Sequence, residues 1–234
     1  RGLGDVYKRQ TPRKSSIHQS DMKVARFEFS LFGINTYVVY DPVAKECAIV
    51  DPGMSSQQER DAIVRFIERN DLEVTHLINT HLHVDHAAGD HFIISRYGMK
   101  PEAHREDGIL GERMRQQAIM FGLDDCFDGV EISHYLDEGD EIKIGEGTLK
   151  VIHVPGHSPG SIVLYDQKDG FMIAGDVLFQ GSIGRTDLPG GSHKDLVEGI
   201  KNKLMPLPDS TVVLPGHGPE TTIGEEKRSN PFLR

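Results

Sequence analysis

The stretch Thr80-His81-Leu82-His83-Val84-Asp85-His86 decides how the rest of this chain is read. It gathers three histidines and an aspartate between positions 81 and 86. Imidazole nitrogen and carboxylate oxygen are the donors that suit zinc, iron or manganese. In an extended loop, residues two apart point the same way, so His81 and His83 can hold one ion together. Asp85 and His86 then turn toward a following helix and can face a second ion beside the first. A plain polar loop would use Asp85 only as a helix N-cap. That reading leaves three clustered histidines unexplained.

Working outward, residues 76–79 read as a strand feeding the cluster, and a helix is predicted from about 85 to 97. Three further sites repeat the construction. Val151-Ile152-His153-Val154 runs into Pro155-Gly156-His157, Phe171-Met172-Ile173-Ala174 into Gly175-Asp176, and Thr211-Val212-Val213-Leu214 into Pro215-Gly216-His217. Each reads as a buried strand closed by a glycine and then a side chain able to bind metal. Glycine lets the backbone turn sharply and deliver that side chain at the sheet's edge. His157 or His217 alone would read as a turn histidine. Together the four sites bring His81, His83, Asp85, His86, His157, Asp176 and His217 to strand ends.

The remaining pattern supplies the scaffold. Residues 24–29, 37–40 and 48–50 read as strands separated by turn residues. Ser56-Gln57-Gln58-Glu59 is a capping box, and Ala62, Ile63, Phe66 and Ile67 recur behind it at helical spacing. A further helix is predicted over about 106–121. The second half offers strands at 141–144, 149–154, 161–165, 171–174 and 211–214, with a helix at about 194–204. Two halves of strands and helices predict two sheets packed face to face with helices outside, a four-layer α/β/β/α sandwich. Residues 22–234 read as one catalytic domain. Residues 1–21 are polar and aperiodic, and their opening RGLGDVYKRQ resembles translated sequencing-adaptor sequence. They read as a non-native or disordered leader.

With 36 acidic against 26 basic residues, the net charge of −10 argues against a nucleic-acid partner, which would need basic surface. No apolar run approaches the roughly 18 residues that span a membrane. Cys47 and Cys126 are too few for a disulfide framework and read as free thiols of a cytoplasmic protein. His18, His76, His91, His104, His134, His153 and His193 lack the strand-end pattern and read as structural or surface residues. Glu225, Glu226 and Lys227 read as a solvated helix start.

The motifs HLHVDH, GHSPGS, GDVLF and LPGHG together resemble the metallo-β-lactamase superfamily, over nearly everything from Val24 onward. The resemblance implies two divalent metal ions, zinc in the first instance with iron or manganese as alternatives. His81, His83 and His157 would hold one ion, Asp85, His86 and His217 the other, and Asp176 would bridge them. Asp51, in Val50-Asp51-Pro52-Gly53, matches an early aspartate motif beside the site. Phe179 to Asp187 (FQGSIGRTD) and the ending GHGPETTIGEEKRSNPFL look like the small glyoxalase II-like hydrolases. That narrower likeness implies hydrolysis of a hydroxyacyl thioester such as lactoylglutathione, a small-molecule partner. Asp85 and Asp176 would be the catalytic carboxylates positioning the attacking water. Arg185 would hold a substrate carboxylate, its planar fork suiting that group, unless it braces its loop on Asp187. The persulfide dioxygenases share Gly184-Arg185-Thr186-Asp187. They imply an alternative in which His81, His157 and Asp176 form a facial set for non-haem iron.

Overall fold

The computed structural model describes residues 21–123 and 127–234, together with the backbone of Asp5-Val6. The readings of the leader and of Cys126 therefore lie outside the described residues, apart from that short strand. The first sheet runs in chain order: β1 (Asp5–Val6), β2 (Lys23–Glu28), β3 (Asn35–Tyr40), β4 (Glu46–Val50), β5 (Glu73–Ile78), β6 (Pro101–Ala103) and β7 (His134–Tyr135). The second takes up β8 (Glu141–Ile144), β9 (Gly147–His153), β10 (Ile162–Asp166) and β11 (Phe171–Gly175) as an antiparallel meander. A two-stranded hairpin, β12 (Leu178–Phe179) and β13 (Ser182–Ile183), stands apart. Strand β14 (Val212–Pro215) then pairs parallel to β11, and β15 (Thr221–Thr222) closes the edge.

Strand alternation creates the layers. Along β3, Tyr37 and Val39 face the second sheet, while Val38 turns to the opposite side, because successive side chains leave opposite faces. Between the sheets, Tyr37, Val39, Val50 and Ile78 meet Leu149, Val151, Leu164, Ile173 and Leu214. Outside the first sheet, Val38, Ile49 and Leu77 pack on Ile63 and Ile67 of helix α1 (Gln57–Arg69). Outside the second, Val163, Met172 and Val213 pack on Leu196, Ile200 and Leu204. Four layers result, the predicted sandwich. Full burial of each such aliphatic contributes about 1.5–3 kcal/mol, so a one-residue slip in any central strand would invert the packing. Cys47 is a free thiol in this core, pushed up to about 12 by burial. Among the described residues, no helix is long and apolar enough to cross a membrane.

The capping box forms as read: Ser56 Oγ accepts from Glu59 N–H, and the Glu59 carboxylate accepts from Ser56 N–H. Two predicted helices are broken. The 85–97 helix splits into α2 (Val84–Ala87) and α3 (Asp90–Tyr97). Gly89 lies between them, donating to Pro52 O at 2.6 Å in a space that a Cβ could not enter. The 106–121 helix becomes a 3-10 turn at Arg105–Asp107, α4 (Gly108–Glu112) and α5 (Met114–Met120). The chain bends there to bury Asp107 and to seat Leu110, Met114 and Ala118 in a small core with Leu82, Val84 and Val130. Helix α6 (His193–Gly199) continues into a wider π turn over Ile200–Leu204.

The reading of Glu226 as solvated is corrected. In helix α7 (Ile223–Ser229) its side chain is fully buried and accepts from Gly181 N–H, Thr221 Oγ1 and Asn230 Nδ2 at 2.6–2.9 Å. It thereby pins the β12–β13 hairpin to the C-terminal helix. Glu226→Ala would leave those three donors unpaired, so it is expected to destabilise the fold by roughly 2–3 kcal/mol. That corresponds to a calorimetric Tm lower by about 5–10 °C.

Candidate metal centre

The four predicted strand-end sites meet at one edge of the sandwich. Strand β5 delivers the loop carrying His81 and His83, and α2 carries Asp85 and His86. The ends of β9, β11 and β14 deliver His157, Asp176 and His217. Two of the glycines allow the close approach. A Cβ at Gly216 would overlap Asp176 Oδ1 and His86 Cε1, and one at Gly184 would overlap the Asp176 carbonyl.

The seven side chains form two overlapping groups. His157 Nε2 lies 2.9 Å from His83 Nδ1, 3.1 Å from His81 Nε2 and 3.6 Å from Asp176 Oδ2. On the other side, Asp85 Oδ2 lies 3.0 Å from His217 Nε2 and 3.7 Å from His86 Nε2. Asp176 stands between the groups, 3.3 Å from His86 Nε2 and 3.6 Å from His217 Nε2. Metal bonds of about 2.0–2.1 Å would set ligand atoms roughly 3.3 Å apart around a tetrahedral ion, the same range.

The surrounding hydrogen bonds decide which nitrogens face inward. His157 Nδ1–H donates to the Arg185 carbonyl at 2.8 Å, and His217 Nδ1–H to the Phe32 carbonyl at 3.1 Å. His86 Nδ1–H donates to Asp51 Oδ2 at 2.9 Å, and His81 Nδ1 meets Thr80 Oγ1, which itself donates to Asp51. Asp51 also accepts from Thr80 N–H, so one buried carboxylate orients both imidazoles. It holds a left-handed backbone (φ 50°), strain that concentrates at functional sites. With those tautomers, lone pairs on His81 Nε2 and His157 Nε2 face each other at 3.1 Å, which repels unless a cation lies between.

The electrostatics point the same way. Burial, then His86 and His157, lowers His81 well below the usual imidazole range, and burial with His157 takes His83 down to about 3. Both stay neutral and available as ligands. Burial would also lower His86, but Asp176, Asp85 and Asp51 outweigh it and raise it well above. His86 Nε2 and Asp176 Oδ1 are buried without a hydrogen-bond partner. A position flanked by the Asp85 and Asp176 carboxylates and by ligand atoms without partners calls for positive charge, and a divalent ion fits it.

Three groups that sequence reading missed support this site. Asp107, fully buried, accepts from Leu82 N–H, Ser158 Oγ and Gly160 N–H, tying the loop of His81 and His83 to that of His157. The carbonyls of Arg185 and Phe32 orient His157 and His217, and a carbonyl carries no residue signature. The Arg185 guanidinium, singled out for substrate, instead forks onto Asp187 at 2.7 and 2.8 Å in solvent. His104 and His153, with Glu106, form a further donor cluster. Their rings stack in parallel at 3.8 Å and 12°, so the in-plane lone pairs run side by side and do not converge on an ion. Asp51→Ala should lower affinity for added Zn²⁺ about 10–100-fold, read by competition with a chromogenic chelator, with the circular-dichroism spectrum retained.

Comparison with known proteins agrees with the geometry. The family described as the metallo-beta-lactamase superfamily matches residues 30–217. The hydroxyacylglutathione hydrolase GloC of Haemophilus influenzae is 36% identical over 217 residues, covering 91% of this chain and 98% of that protein. The crystal structure of the BLEG-1 B3 metallo-beta-lactamase superposes with a TM-score of 0.81 at 35% identity, covering 90% of this chain and 99% of that one. The crystal structure of TTHA1623 in a di-iron-bound form follows at 0.77 and 32%, covering 89% and 99%. With strand-end ligands, four-layer sandwich and matching relatives in agreement, this chain belongs to the metallo-beta-lactamase superfamily.

Proposed function

We propose that the chain is a metal-dependent thioester hydrolase of the glyoxalase II-like kind, acting on hydroxyacyl thioesters such as lactoylglutathione. The observation that carries the reading is the convergence of all seven donor side chains on two adjacent positions, in a chain similar over its length to a hydroxyacylglutathione hydrolase. His81, His83 and His157 would hold one ion, Asp85, His86 and His217 the other, with Asp176 shared. Zinc suits this set, and the di-iron form of TTHA1623 supports iron as the alternative. Such a pair, when bound, supplies hydroxide at neutral pH and a Lewis-acid rest for a carbonyl oxygen.

The chain's own residues position the reaction. Burial works to raise Asp176 and Asp85, but His86 and His217 together, with His157 beside Asp176, hold both carboxylates below their usual range. Charged, they can accept hydrogen bonds from the attacking water. In the overall step the acyl C–S bond breaks, a C–O bond to water oxygen forms, and the water proton ends on the thiol. A thiolate leaving group, with a conjugate acid near about 8.5, departs without a strong general acid. Arg185 already forks onto Asp187 through Nε and Nη2, and an exposed ion pair is a weak hold on a substrate carboxylate.

A second reading has one observation behind it. His81, His157 and Asp176 present two imidazoles and a carboxylate within reach of one position, the donor set of non-haem iron oxygenases. A persulfide dioxygenase would use that subset. Asp176→Ala is expected to reduce bound metal and lactoylglutathione hydrolysis together, the latter at least about 100-fold, measured by elemental analysis and by thiol release. Oxygen uptake with glutathione persulfide, in the absence of thiol release, would decide for the dioxygenase.

A further inference from the structure

The wall beside His83 carries a feature that the metal ligands do not explain. A cavity of about 280 Å³ opens there, lined by His83, Ile109, Arg113, Met120, Pro159 and Leu188 among others. It is nearly twice the size of a cavity that accepts a benzene ring, roughly 150 Å³. Its walls are mainly aliphatic, and two of them, Ile109 and Met120, are 46% and 55% exposed. Large apolar side chains left in water beside a reactive centre mark a binding surface more often than a structural one. Across the site mouth, half-exposed Phe32 sets its ring edge-on to Phe121 at 5.8 Å while its carbonyl fixes His217.

The cavity borders the candidate centre, and His83 is the wall that they share. Its Nδ1 faces His157, and the ring also forms part of the cavity wall. The cavity has a firm base: α4 and α5 rest on the small core of Leu82, Val84, Leu110 and Met114. Gln117 adds hydrogen bonds from its amide to the Leu82 and Leu110 carbonyls. One cation stands at the exposed side. Arg113, at the bend between α4 and α5, has no ion-pair partner among the described residues. Arg185, by contrast, is already occupied by Asp187.

We infer that this cavity is the acyl subsite, taking an apolar chain of about six carbons that ends in an anionic group held by Arg113. The inference rests on the thioester-hydrolase reading and departs from it on the acyl group, a longer diacid in place of a short hydroxyacid. The preferred substrate is a thioester of an amphipathic dicarboxylic acid, cleaved by water to the diacid and a free thiol. A short polar acyl group would leave the aliphatic walls wet. A neutral chain would fill them and leave Arg113 unused.

The test compares lactoyl, hexanoyl and adipoyl thioesters of one thiol, N-acetylcysteamine, on the metal-loaded protein. Calorimetric binding of the matching ketones, with a methylene in place of sulfur, runs beside it. Hexanoyl should exceed lactoyl in kcat/KM by about tenfold, and adipoyl should exceed hexanoyl by about fivefold. Arg113→Gln should bring the adipoyl-to-hexanoyl ratio close to one, and Met120→Glu should reduce the hexanoyl-to-lactoyl ratio. Ratios within one variant are insensitive to how much of it is folded. Hydrolysis of all three at equal efficiency, or preferences that survive both substitutions, would overturn the acyl subsite and leave the hydrolase reading standing. Ketone binding in the predicted order, lost in the two variants, with no thioester hydrolysed, would overturn the hydrolase reading and leave the subsite. Absence of both would remove both.

Discussion

Three carboxylates, Asp51, Asp85 and Asp176, are buried together, and their ion-pair partners are all imidazoles. Removing charges from water costs several kcal/mol each unless hydrogen bonds and opposite charge replace the solvent. Asp51 meets that demand with two donors from Thr80 and one from His86. Asp176 does not, since one of its oxygens stays without a partner. Cations in the gap would answer the deficit, and the rest of the edge is built around keeping that gap open. Gly216 keeps a side chain out of it, Gly184 lets the chain approach the Asp176 carbonyl, and Asp51 accepts a left-handed backbone while orienting His86 from behind.

The sandwich is what makes such a cluster possible. Strands β5, β11 and β14 end at the same edge, and the core between the sheets holds those ends still. Side chains carried at rigid strand ends and locked by supporting hydrogen bonds can be set to within about half an ångström. Asp107 extends the rigidity from strands to loops. Its carboxylate accepts from both ligand loops, and burial raises it against the three hydrogen bonds that oppose. The broken helix over α4 and α5 has the same origin. The bend buries Asp107 while Leu110, Met114 and Ala118 pack on Leu82 and Val84.

Two readings changed on moving from residue type to environment. Arg185 was singled out for its guanidinium, yet its contribution at the centre is its carbonyl, which sets the tautomer of His157. Glu226 sits in a charged run that resembles a solvated helix face, yet it is the acceptor joining hairpin and terminal helix. For Glu226 the neighbours were misread; for Arg185 the Asp187 alternative was legible and the contact of its carbonyl was not.

The sequence by itself determined the donors and their delivery. Clustered histidines at 81–86, and glycines closing apolar runs before His157, Asp176 and His217, are local patterns, and strand periodicity with the capping box foretold the four layers. Asp51 was legible through its motif. Tertiary structure alone decided that His83 and His157, separated by 74 positions, lie 2.9 Å apart. It also decided that Asp107 is buried, that Arg113 meets no ion-pair partner among the described residues, and that the 106–121 helix bends. The physical reason is that periodicity and side-chain chemistry are properties of neighbouring residues. Burial, carbonyl hydrogen bonds and the partner of a charge are properties of segments that meet only once the two sheets have packed.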